Sequence, residues 1–225
     1  MMRWTRGRLL CGLFSAVCLL APARTHAAPP PPLETRVFRV HVDQKPAGEY
    51  RMVIRQDGET ASMSAQAEVR VRVLLISYVY TFKSSEVWKG DSLARLDSNT
   101  VDDKKRFSVT AWTDKNALRV RVNGQEHTTT PDAWTTTYWR LPGARFRNRA
   151  VPLLDADTGK DMKGTLRYVG MENVPVAGQT VQCAHWRVTG DVQVDAWYDG
   201  YDRLVREESV EEGHKTLLDL IQVTH

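Results

Sequence analysis

The stretch Thr60–Phe82, TASMSAQAEVRVRVLLISYVYTF, decides the fold. Ala61, Met63, Ala65, Ala67, Val69, Val71 and Val73 hold the odd positions, and Thr60, Ser62, Ser64, Gln66, Glu68, Arg70 and Arg72 the even ones. Alternation of period two, sustained this long, marks a strand with one buried face. At about 3.3 Å per residue it spans roughly 46 Å, a length at which a strand coils rather than lies flat. Beyond Ser77 the phase flips, and Tyr78, Tyr80 and Phe82 take the even positions. Either one strand bulges here, or two strands meet in a hairpin with an apolar tip, Leu74-Leu75-Ile76. We read a hairpin. A tip of that composition is costly in water, so it is expected either under residues 131–150 or at the rim of a groove. Arg70, Arg72 and Lys83 bracket too few apolar residues for a membrane span.

The same signals recur outward from this stretch. Phe38, Val40 and Val42 alternate with polar residues, as do Tyr50, Met52 and Ile54 after a turn read at Pro46-Ala47-Gly48. Asp57-Gly58 and Asn123-Gly124 are two-residue hairpin signals. Further strands are read at Tyr78–Trp88, Leu93–Ser98, Phe107–Ala111, Leu118–Val122, Leu166–Met171, Val181–Val188, Val192–Tyr198, Leu204–Val210 and Leu217–Val223. No βα alternation is present. The expectation is a mainly β single domain, a curved antiparallel sheet or half-barrel of about ten to twelve strands with one or two short covering helices. A sandwich and a closed barrel stay open as alternatives. One irregular insertion, residues 126–161, breaks the rhythm. Thr130-Pro131-Asp132 is a helix start signal that would place Trp134 and Tyr138 on one face of a short helix. Such an insertion either covers the sheet or plugs its core.

The first residues read as a secretory signal peptide, residues 1–27: Arg3, Arg6 and Arg8, an apolar run from Leu9 to Leu20, then small residues at two candidate cleavage sites. Residues 28–34 read as a proline-rich tether, and residues 35–225 as the domain. The chain has 31 Lys+Arg against 27 Asp+Glu, and four of the basic residues (Arg3, Arg6, Arg8, Arg24) lie within the signal. The remainder is balanced, so the basic pI gives no ground for nucleic-acid binding. Cys11 and Cys18 leave with the signal, and Cys183 alone forms no internal disulfide. A periplasmic or secreted protein with no transmembrane segment after cleavage is expected.

Sites of strong specificity are absent. Asp157-Thr158-Gly159 is a single copy followed by Lys160, where an aspartic protease needs two carboxylates. The same stretch lacks the bidentate Glu of a calcium loop and the glycines of a phosphate loop. Cys183 and His185 share a strand face, with no second compact ligand pair. Asp199, His185, Cys183 and Glu86 are the groups to inspect for catalysis, provided that they reach one another. Arg140, Arg145, Arg147 and Arg149 cluster beside Trp139 and Phe146, a composition suited to an anionic headgroup.

FRVHVDQKPAGEYRMVI, YVYTFKSSEVWKGDSLARLDSNT, TTTYWRLP and WYDGYDRLVREE together resemble a family of exported bacterial proteins of unknown function. Glu86-Val87-Trp88 with Gly90 and Leu93, and Trp197-Tyr198-Asp199 with Leu204, are the most specific pieces. That resemblance implies no activity and no catalytic residues. More loosely, the chain is similar to LolA-like lipoprotein-carrier half-barrels, an analogy of fold alone. The reading is therefore a protein without cofactor or metal that binds a lipophilic or amphipathic ligand on the concave sheet face. Leu74, Leu75, Ile76, Tyr78, Tyr80 and Trp88 would form its wall, Trp134, Tyr138 and Trp139 its lid, and Arg145, Arg147 and Arg149 its headgroup contacts. An envelope assembly partner and a cofactor-free hydrolase are the alternatives.

Overall fold

The computed structural model describes residues 33–73, 76–211 and 213–225, with the side chains of 72–77 left aside. The expected signal, most of the tether, Leu74 and Leu75 lie outside the described residues. Strand β1 is Leu33–Val42, β2 Lys45–Asp57, β3 Thr60–Val73, β4 Ile76–Lys89, β5 Ser92–Asp102, β6 Lys105–Asp114, β7 Ala117–Val122 and β8 Gln125–Thr129. The second half contributes β9 Trp134–Thr135, β10 Ala150–Leu154, β11 Asp161–Val176, β12 Gln179–Gly190, β13 Val194–Tyr198, β14 Leu204–Glu211 and β15 His214–Thr224. Among the described residues the one helical element is a single 3₁₀ turn, Ala144–Phe146.

All fifteen strands belong to one sheet. Strand β1 lies in its middle, with a meander running out through β2 to β8 on one side and from β15 back to β9 on the other. Pairing is antiparallel except between β9 and β10. The outer strands are β8 and β9, which are consecutive in the chain. Laid flat, fifteen strands at about 4.8 Å spacing would separate them by roughly 67 Å. The short link from Thr129 to Trp134 reaches at most roughly 18 Å. The sheet must therefore roll up, and it does so without pairing β8 to β9: the barrel is curled but not closed.

The roll is filled from within by the segment between its two edges. Trp134, Tyr138, Leu141, Leu153, Leu154 and Ala156 belong to the same buried cluster as Phe38, Met52, Met63, Leu96, Val120 and Leu220 of the sheet. Ser98 donates to the Ala156 carbonyl, and Thr100 and Tyr80 donate to Asp157. At Gly159, with φ +70, a Cβ would lie 2.4 Å from the Val122 side chain, so only glycine allows the segment to lie this close to the sheet.

Several expectations are corrected. The strand count exceeds the expected range because β8, β9 and β10 fall largely within the region read as an insertion. The helix at Thr130 does not form. Tyr138 has φ 45, which no right-handed helix accommodates, and the residue is held there by tertiary contacts. Trp134 and Tyr138 nonetheless meet edge to face, with ring centroids 4.8 Å apart. The first turn is Asp43-Gln44, both at positive φ, and Gly48 lies inside β2. A Cβ on Gly48 would fall 1.9 Å from the Glu68 carbonyl oxygen, so this glycine serves close strand approach and not a turn. Strand β1 begins at Leu33, taking in the last two residues of the expected tether. The hairpin reading agrees with the pairing of β3 and β4, which runs from Thr60↔Lys89 to Val73↔Ile76.

Candidate functional site

Glu86 links the two most distinctive sequence pieces. Its carboxylate is buried and accepts from the Trp88 indole at 2.7 Å, the Trp139 indole at 2.9 Å, the Thr135 hydroxyl at 3.1 Å and the Thr137 hydroxyl at 2.6 Å. Burial raises its pKa, and the four donors oppose that. Three of the donors converge on Oε2 and the Thr137 hydroxyl alone reaches Oε1, so the carboxylate is held chiefly as a structural acceptor. It anchors the inner segment to β4.

The same anchor places Trp139 and Arg140 at one end of the roll, where a cleft of about 620 Å³ opens. Ile54, Ala61, Leu141 and Pro142 give it apolar lining, and its charged lining is Arg36, Arg140, Arg147 and Arg203 together with Glu34, Glu59, Asp91 and Asp202. Two of these guanidiniums are tied down. Arg36 pairs with Glu34 in a buried contact and donates to the Trp139 carbonyl at 2.9 Å. Arg203 reaches Asp199 at 2.6 Å and Glu34 at 3.3 Å. The other two are held loosely, Arg140 by Asp91 and Arg147 by Asp202, each at 3.3 Å, and both aspartates are exposed. The Arg140 guanidinium lies 4.9 Å from the Trp88 ring centre, and that of Arg147 lies 5.9 Å from Trp186. Such stacking orients a guanidinium while leaving its N–H edge free to bind.

The opposite end carries carboxyls. Tyr80 donates to Asp157 at 2.6 Å and Thr100 at 3.1 Å. Burial, then the charge of Asp155, pushes the Asp157 carboxyl up to about 7. Burial, then Asp157, pushes Glu207 on β14 up to about 8. On the convex face His185 is clamped, with Nδ1 2.8 Å from Glu172 and Nε2 2.6 Å from Asp195, and its ring is stacked 4.3 Å from Trp197. The Trp197 indole, then His185, holds the Glu172 carboxyl below the usual range. Together these contacts tie β11, β12 and β13.

The residues expected to form one ligand wall are dispersed. Ile76 opens β4, and by register the Val73↔Ile76 pair lies about 40 Å along β3 from the Ala61↔Trp88 pair beside the cleft. Leu74 and Leu75, expected at the tip, lie outside the described residues. Tyr78 is exposed and donates to Asp102 at 2.7 Å. Trp88, Trp134, Tyr138 and Trp139 are core residues, at most 5 % exposed. The Trp134 indole donates to the Arg140 carbonyl at 2.8 Å. Arg145 pairs with Asp132 at 2.6 Å and lies over Phe146. Arg149 is exposed, and its carbonyl caps Leu166 N–H at 2.9 Å. Of the described residues named from the sequence, Trp139, Arg140 and Arg147 line the cleft. The sequence reading missed Glu34, Arg36 and Arg203. Glu34 and Arg36 stand two apart, on one strand face, which was the available signal.

The four groups singled out for catalysis do not meet. Glu86 is engaged by the inner segment and Trp88 as described, and Asp199 accepts from Arg203 and from the backbone of Tyr201. His185 is clamped on the convex face. The Cys183 thiol, pushed up to about 11 chiefly by burial, lies 3.5 Å from the Val181 carbonyl. Among the described residues no group of three or more His, Cys, Asp or Glu is arranged to hold a metal, and no helix is long and apolar enough to cross a membrane.

A single sheet rolled around an inner segment defines a β-barrel-like protein. The chain is similar to the crystal structure of a β-barrel-like protein of domain of unknown function DUF1849 from Brucella abortus. The TM-score is 0.59 at 13% identity, covering 85% of this chain and 96% of that one, so the likeness is one of fold. The chain itself belongs to the family described as domain of unknown function DUF6134, whose model matches residues 38–220. No curated protein matches it.

Proposed function

We propose that this is an exported binding protein of the cell envelope whose ligand is an amphipathic anion seated in the end cleft, with no reaction performed on it. The carrying observation is the pairing of apolar lining with Arg140 and Arg147, two stacked guanidiniums whose aspartate partners are exposed and make single long contacts of 3.3 Å. A carboxylate or phosphate headgroup competes well for such a fork, because bidentate charge-assisted bonds form at shorter range than 3.3 Å. Ile54, Leu141 and Pro142 would then take the first part of an alkyl chain. Export rests on the signal-like first residues. Relative to the sequence reading, the ligand moves from the concave face, which the inner segment fills, to the end of the roll.

The test is titration of the purified chain with dodecanoate and with dodecyl phosphate, followed by calorimetry, with dodecyl maltoside as a neutral control. Binding of the anions alone, weakened at least about tenfold in Arg140→Ala and Arg147→Ala, is expected. Equal binding of the neutral detergent, or no effect of either substitution, would overturn the reading.

The alternative of an assembly partner is favoured by one observation. Tyr168, Val169 and Met171 are exposed beside the β11 bulge, past the end of its pairing with β10. Pull-down with wild-type chain and with Val169→Asp from envelope extracts checks it, and an unchanged set of captured proteins would count against it.

A further inference from the structure

The carboxyl-bearing end of the roll holds a group that the end cleft does not use. Glu207 on β14 lies opposite Ala196 and Leu218 in register, and so belongs to the inner face with Val40 and Tyr50. It is 8% exposed, and among the described residues its side chain has no hydrogen bond and no ion pair. The one charge bearing on it is another acid, Asp157. A largely buried carboxyl with neither protein donor nor cation bears a desolvation cost that a bound cation would relieve.

Its surroundings share that deficit. The Tyr138 hydroxyl is buried without a partner, on a residue held at positive φ, and Tyr198 pins the Tyr138 carbonyl at 2.7 Å. The Tyr50 hydroxyl, from β2, likewise makes no hydrogen bond among the described residues. Phe38 and Phe82 flank the Tyr50 ring at 6.1 Å and 6.3 Å. Tyr50, Tyr138 and Tyr198 all feel the Glu207 charge. The groups facing Glu207 are therefore Tyr50 from β2, Tyr138 and Asp157 from the inner segment, and Tyr198 from β13.

We propose that this end of the interior is a binding site for the ammonium group of a small organic amine, with Glu207 as its counter-ion and the Tyr138 and Tyr50 hydroxyls as acceptors. An ammonium offers three donors to these three acceptors, and aromatic faces attract it. A metal ion is the poorer fit, because among the described residues no three carboxylate, imidazole or thiol groups converge here. The high proton affinity of Glu207 and Asp157 adds a requirement: the amine displaces protons, so it binds more tightly as pH rises.

The test is the melting temperature of the purified chain with ethylamine or putrescine, at fixed ionic strength, with potassium and calcium chloride as comparators. At about pH 8.5 the amines should raise it above the potassium control, and at about pH 5.5 their apparent affinity should be at least about tenfold weaker. Glu207→Gln should abolish the response. Tyr138→Phe, which keeps the ring and removes only the unpartnered hydroxyl, should weaken it several-fold without lowering the unliganded melting temperature. No amine response in the wild type, an unchanged response in both variants, or a response to calcium alone would overturn the assignment.

Discussion

The two ends of the roll both bury charge and solve the problem in opposite ways. At the cleft end, opposite charges are brought together: Asp199, Arg203, Glu34 and Arg36 form a continuous chain of ion pairs. At the other end, Asp157 and Glu207 have no cation among the described residues and are pushed towards the protonated state. Pairing makes the first end sensitive to the loss of a partner. Protonation makes the second sensitive to pH. The lesson is that a curled sheet with an unclosed seam can hold two electrostatically distinct ends on one continuous core.

The largest expected effect lies between the two ends. Glu86→Ala leaves two indoles and two hydroxyls without their acceptor and should cost about 4 kcal/mol in chemical denaturation. Arg36→Met comes next. It strands one side of the Glu34 carboxylate, and a loss of about 3 kcal/mol is expected, reduced because Arg203 remains. If Arg36→Met were neutral, the view of the cleft end as a paired network would fail.

The pH response tests the other end. An acid with a raised folded pKa binds its proton in both states at low pH, and there it costs nothing. Above the folded value it is ionised in both states, and the folded state bears the burial penalty. The contribution of these two acids is therefore most favourable in acid and is lost as pH rises from 3.8 through about 7 for Asp157, and from 4.5 through about 8 for Glu207. Glu207→Gln should flatten the upper part of that decline and raise the melting temperature at alkaline pH by several degrees, about 2–4 °C for each kcal/mol recovered. A wild-type melting temperature that climbs over this range would break the comparison. The smallest effect is expected for Arg145→Ala. It removes an exposed contact to Asp132 and should change stability by no more than about 0.5 kcal/mol, which denaturant melts of wild type and variant will show.

Much of the sheet was legible because its cause is local. Seven odd-numbered apolar residues in a row make β3 a strand whatever surrounds it, and Asn123-Gly124 turns the chain wherever it occurs. The inner segment was not legible for the converse reason. Trp134 and Tyr138 have the spacing of a helix face, and only the acceptor at Glu86, together with the positive φ of Tyr138, commits the chain to another path. Arg140 and Arg147 were visible as a cluster, yet nothing in their neighbourhood shows that Trp88 and Trp186 lie beneath them.

By itself, then, the sequence determined the strands, the hairpin that joins β3 to β4, and an antiparallel sheet in one domain, since these follow from periodicity and turn chemistry within a few residues. Only the tertiary structure decided that the sheet curls around residues 130–160, that Glu34 meets Arg203 across most of the chain, and that Glu207 meets no donor or cation among the described residues. Those outcomes depend on how strands distant in sequence are rolled together, and burial assigns the energy of a charged side chain only after that rolling is complete.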